Sequence, residues 1–161
     1  MLQFDFKGCL SAGNRINSTN TTVGGYGASE MKMTTLPALV NALPDWLKTR
    51  LIEFSVLASA GNNSSTIETV SGNKLSLRSE IEIMGTSSNS FAGEGTAISY
   101  YTSSQANRDK IPWSVGPYYA WELRSPRKSD PERYVVVNEY GSGTGSSYAT
   151  TAGGVSPFGC L

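Results

Sequence analysis

The chain opens on an alternation. In "MLQFDFKGCL", Leu2, Phe4 and Phe6 face away from Gln3, Asp5 and Lys7, and a period of two predicts a strand with one buried side. The next stretch, "SAGNRINSTNTTVGGYGASE", is dense in Asn, Ser, Thr and Gly, residues that favour turns, and it predicts a long loop. From there to Phe54 the period lengthens. Ser29 or Ala28 stands near a helix cap with Glu30 in the first turn, and Pro37 and Pro44 divide the region into short helices. Pro44 and Asp45 suit the first turn of the second helix, whose Leu47, Leu51 and Trp46 are candidates for the core.

The period returns to two at Ile52, Phe54 and Val56, and again through "KLSLRSEIEIMG", where Leu75, Leu77, Ile81 and Ile83 predict two short strands. Residues 85–117 carry Phe91, Tyr100, Tyr101 and Trp113 without clear periodicity. A loop this long in a compact domain is usually functional. The apolar runs "AWEL", "RYVVVNEYG" and "GGVSPFGCL" then predict an antiparallel meander, so the fold class is α+β, helices early and strands late.

Composition narrows the function more than the fold. The 161 residues suit one domain over 1–161, and a chain that starts within a strand fits the C-terminal part of a longer protein. Thirteen basic and thirteen acidic residues leave no net charge, so neither nucleic acid nor membrane insertion is expected. Histidine is absent, which removes the commonest general base and metal ligand. No calcium-loop pattern is present, and no metal or cofactor is expected. Gly24 to Gly27 and Gly93 to Gly95 lack the setting of a phosphate loop. Glu80 and Glu82 would share one strand face like paired glycosidase carboxylates, but solvated or ion-paired groups are the better reading. Asn17 and Asn20 head glycosylation triplets that matter only in a eukaryotic secretory context. Cys9 and Cys160 read as ordinary buried thiols, although adjacent first and last strands would bring them near enough to bridge. The remaining signal is a loop vocabulary of Tyr, Ser, Gly, Thr and Asn, which suits recognition as well as a bland surface.

Six segments in order carry a resemblance: "NSTNTTVGGYGASEM", "LPALVNALPDWLKTRLI", "NKLSLRSEIEIMG", "EGTAISYY", "WELRSP" and "GGVSPFGCL". Together they resemble a domain family of Gram-positive gut bacteria and their phages, marked by an Asn/Thr-rich loop, G-G-W-x-x-S-x-M-R, L-P-x-x-L, K-L-x-L-x-S-E-x-E-x-x-G, E-G, W-W-L-R-S-P and a closing G-V. The chain departs from it at Tyr26, Lys32 and Glu122. The pattern is distantly similar to the C-type-lectin and formylglycine-generating-enzyme superfold. That implies two short helices packed on a twisted antiparallel sheet, long loops, and adjacent N- and C-terminal strands, with Cys9 near Cys160.

The resemblance implies a receptor-binding or adhesive domain at a phage tail or head fibre tip, on the virion surface or a bacterial cell surface. Its partners would be a host glycan or protein and other virion subunits, in a homo-oligomer such as a trimer. The candidate contacts are Tyr118, Tyr119, Glu122, Arg127, Lys128, Glu132, Arg133, Glu139, Tyr140 and Tyr148, offering rings for sugar faces and charges for hydroxyls. Trp121, Arg124 and Pro126 are expected to be architectural, with Glu80 as the first candidate carboxylate for Arg124. The alternatives are a structural assembly module without external ligand and, more remotely, an oxidase that needs two neighbouring cysteines.

Overall fold

Most segments of period two become strands, and short helices fill the gaps between them. The structure, a computed structural model, describes every residue except 115 and 117–119; the side chains of 11, 12 and 112 also lie outside the description. The strands are β1 (Gln3–Asp5), β2 (Ser11–Asn14), β3 (Phe54–Ser59), β4 (Ile67–Asn73), β5 (Leu75–Ser76), β6 (Ala120–Pro126), β7 (Arg133–Asn138), β8 (Thr144–Tyr148), β9 (Gly153–Val155) and β10 (Phe158–Cys160). They form a three-stranded sheet ordered β1-β10-β5, a five-stranded sheet ordered β2-β9-β6-β7-β8, and the hairpin β3-β4. Among the described residues, four short α-helices complete an α+β fold: α1 (Leu36–Ala42), α2 (Asp45–Lys48), α3 (Glu80–Met84) and α4 (Ser99–Thr102).

The first and last strands pair antiparallel, with Gln3 opposite Cys160 and Asp5 opposite Phe158. The expected meander is present as β6-β7-β8, and β9 joins β6 in parallel at Trp121 and Gly154. Strand β3 buries Phe54, Val56 and Ala58 and exposes Ser55 and Leu57, as its alternation predicts. The larger core cluster joins Tyr26, Met31, Leu36, Leu47, Leu51 and Phe54 to Leu75, Phe158 and Cys160. A second, under β6 and β7, holds Cys9, Ile83, Tyr101, Trp121, Leu123, Val135 and Val137. Both cysteines are buried free thiols.

Three expectations are corrected. The first helical stretch begins as one π-helical segment, Met31–Thr35, before α1, with Ser29 Oγ accepting from the Lys32 amide at 3.2 Å. Trp46 is 65% exposed rather than packed in the core. Finally, "SEIEIM" is a helix and not a strand. Ser79 Oγ accepts from the Glu82 amide and Glu82 Oε2 accepts from the Ser79 amide, a reciprocal capping box. Gly85 closes the helix with φ 77°, a left-handed angle that glycine adopts without a Cβ penalty. Glu80 and Ile83, three residues apart, share its buried face.

Candidate functional site

The strand β6 organises the interior. Arg124 is 1% exposed and donates to both carboxylate oxygens of Glu82, at 2.7 and 2.9 Å. Its remaining donors reach the carbonyls of Leu57 at 3.0 Å, Leu77 at 2.7 Å and Glu94 at 2.6 Å. One guanidinium therefore ties β6 to β3, to the lead into α3, to α3 itself and to the 94 loop. The expected partner Glu80 is replaced by Glu82, because the helix turns the two carboxylates apart where a strand would have aligned them. Glu80 is fully buried and balanced by hydrogen bonds: Ser90 donates through N and Oγ at 2.7 and 2.8 Å, Asn89 through N and Nδ2, and Thr144 through Oγ1 at 2.7 Å. Trp121 and Pro126 are buried, and Trp121 Nε1 donates to Arg108 O at 3.1 Å.

Glu122 does not belong to a surface. It is 1% exposed, and its Oε2 has no hydrogen-bond partner among the described residues. Burial alone pushes its carboxyl up to about 8, because the charged form has lost its hydration. A Cβ on Gly153 would run into this side chain, so the glycine makes room for it. As a ligand contact Glu122 is corrected: its strand faces it inward, and its pairing with Val136 on β7 keeps it there.

The other candidate contacts do not form one face. Arg133 pairs with Asp130 at 3.1 Å and lies 3.8 Å over the Tyr148 ring. Arg127 donates to Ser146 Oγ at 2.8 Å, and the exposed Lys128 donates to Ser87 O at 3.2 Å. Glu132 is exposed in the same β6–β7 turn. Tyr140, with Glu139 beside it, sits in the β7–β8 turn, where its carbonyl accepts from Gln105 at 3.1 Å. A seven-residue strand separates these two ends, roughly 20 Å at a strand's rise. Tyr118 and Tyr119 lie outside the described residues.

A more convergent site lies between β1 and the segment running from α4 to residue 110. It is a cavity of about 520 Å³, within the range of small-molecule sites. Phe4, Phe6 and the 58%-exposed Tyr100 give it apolar surface. Asp5, the acidic centre of the site, is held from three directions: Arg78 Nε at 3.0 Å, Arg78 Nη2 at 2.6 Å and Tyr101 Oη at 2.7 Å. Arg78 Nη1 also reaches Gln3 Oε1 at 3.3 Å, and its guanidinium lies 3.5 Å over the Phe158 ring. Asn107 lines the cavity while its amide donates to Tyr100 O at 2.6 Å. Lys110, 3% exposed, donates to Phe6 O at 2.6 Å, and burial pushes its ammonium down to about 8 against the opposing pull of Asp5. At the rim, Lys7 Nζ lies 3.5 Å over the Trp113 ring.

A smaller groove of about 250 Å³ runs between α1 and the β4–β5 corner, lined by Lys32, Pro37, Asn73 and Lys74 among others. It lacks the braced charges of the β1 cavity, which is therefore the stronger candidate. Sequence reading singled out the 85–117 stretch that supplies one wall. It missed Asp5, Arg78 and Lys110, because their meeting requires β1 to lie beside a segment about a hundred residues away; the only local signal was the charge placed in the β1 alternation.

Fold and site together define a small α+β domain with an open polar and aromatic cleft between β1 and α4. The chain belongs to the family described as a domain of unknown function, DUF6273, whose model matches residues 12–161. No curated protein and no solved structure matches it. Among the described residues no helix is long and apolar enough to cross a membrane.

Proposed function

We propose that this chain is a recognition domain that binds a glycan of a host cell surface in the β1–α4 cleft. The observation that carries this reading is the cleft's combination of aromatic surface with hydrogen-bonding groups already fixed in place. Phe4, Phe6 and Tyr100 can meet the C–H faces of a sugar, while Asp5 is braced to accept hydroxyl protons. Groups held before the ligand arrives lose little entropy on binding. By its resemblance to phage and Gram-positive surface domains, the chain acts at a tail or head fibre tip or on a bacterial cell surface. There it assembles with other subunits as a homo-oligomer such as a trimer. We read the fold as C-type-lectin-like, a reading supported by the paired first and last strands and by the loop-rich second half.

The domain is a binder and not an enzyme in this reading. Cys9 and Cys160, buried in separate clusters, argue against a thiol oxidase. A structural assembly module is favoured by one feature, the 65%-exposed Trp46, whose substitution by serine would then dissolve an oligomer.

A glycan array probed with the labelled chain tests the recognition reading. Tyr100→Ala is expected to weaken binding about tenfold, or about 1.4 kcal/mol, with thermal stability unchanged because the ring is largely exposed. Failure of the wild-type protein to bind any host surface component would overturn the proposal.

A further inference from the structure

We propose that the ligand of the β1–α4 cleft is an acidic saccharide, a sugar bearing a carboxylate, and that Lys110 anchors that group. The inference rests on the glycan-binding reading and specifies its chemistry. Among the described residues, the titratable groups lining the cavity are Lys7, Arg78 and Lys110 against a single carboxylate, Asp5, together with the Tyr100 phenol. Asp5 is committed, since Arg78 grips both of its oxygens. Lys110 has no direct ion pair: no carboxylate among the described residues comes within 4.0 Å of it, and Asp5 attracts it only from farther away. Among the described residues its ammonium makes one hydrogen bond, to Phe6 O, with the rings of Tyr101 and Trp121 at 5.3 and 5.4 Å and the Cys9 thiol also acting on it.

A buried ammonium without an anion is costly, and a structural lysine at such a place would normally be paired or replaced by an apolar residue. Here it borders an open cavity, where an entering carboxylate would supply both the missing charge and acceptors for the remaining N–H groups. Arg78 does not offer a free fork for a phosphate, because Asp5 occupies it. A carboxylate on the sugar therefore matches the buried, unbalanced Lys110. Lys7 at the rim adds attraction at longer range. Asp5, Gln3 and Asn107 then face the uncharged hydroxyls.

Esterification isolates the charge. Calorimetry of the full chain would compare oligogalacturonate with its methyl ester, and sialyllactose with lactose. At least one acidic sugar is expected to bind tenfold or more tightly than its neutral counterpart. Lys110→Met, which removes an unpaired buried charge at similar volume, is expected to fold as well as wild type and to abolish that preference. Equal affinity for acidic and neutral members, with the Tyr100→Ala loss intact, would overturn the acidic specificity and leave glycan binding standing. An acid preference that survives in Lys110→Met would overturn the anchor role. Binding by none of the sugars, acidic or neutral, would overturn both.

Discussion

Arg124→Met is expected to cost about 3–5 kcal/mol of folding stability, the range for breaking a buried ion pair by removing one partner. The guanidinium makes five hydrogen bonds, two to the Glu82 carboxylate and three to carbonyls from separate segments. Methionine fills comparable space but satisfies none of them. The Glu82 carboxylate would remain with the Ser79 amide and with Arg78 at 4.0 Å, a weak substitute for a bidentate fork. Arg124→Lys would keep a charge yet could not reach carbonyls and carboxylate together, because an ammonium has three donors and no planar fork. The double variant Arg124→Met with Glu82→Gln should recover part of the loss, since no carboxylate is then stranded and glutamine can still close the capping box on Ser79. Urea unfolding of the three variants beside wild type measures these differences. A loss below about 1 kcal/mol for Arg124→Met would show that the hub is not structural.

Glu122→Gln is expected to stabilise the protein, by an amount that grows with pH. The folded carboxyl is held at about 8, above its ordinary value of 4.5. Between those two values the folded state binds a proton that the unfolded state has released, so stability must fall as pH rises. The contribution is fully present below about pH 4.5, is lost progressively up to about 8, and is then constant. Glutamine has the same shape and no charge to lose. The variant should match wild type near pH 4.5 and exceed it by about 5 kcal/mol at pH 9, from about 1.4 kcal/mol per unit of pKa displacement. Unfolding midpoints at pH 5, 7 and 9 decide the matter. Parallel curves for the two proteins would mean that Glu122 is already ionised in the fold.

Glu122 also shows where sequence reading fails. A charge in place of an aromatic suggests a ligand contact, since glutamate is rarely buried without a partner. The fold buries it all the same, between β7 and the side-chain-free Gly153. The error at "SEIE" was of another kind. Four residues of alternation suggested a strand, while S-x-x-E at Ser79 and Glu82 is the signature of a helix start. Capping chemistry was as legible as the alternation and proved the stronger signal. Reading the helix would also have separated Glu80 from Glu82, since positions two apart on a helix do not share a face.

Period and punctuation were reliable where the decisive contacts are local. The strands at Phe54, Tyr134 and Phe158, the Pro44 start of α2 and the α+β class all follow from side-chain spacing and turn residues close together in the chain. The burial of Trp121, Arg124 and Pro126 was legible in the same way, from an apolar strand with one arginine that needs a partner. The β1–α4 cleft is different in origin. Asp5, Arg78, Tyr101 and Lys110 are each unremarked in their own surroundings, and they meet because β1 pairs with β10 while α4 packs beside them. Spacing along a chain records which face a residue turns. It does not record which distant segment will lie against that face, because that choice is made by the packing of whole elements.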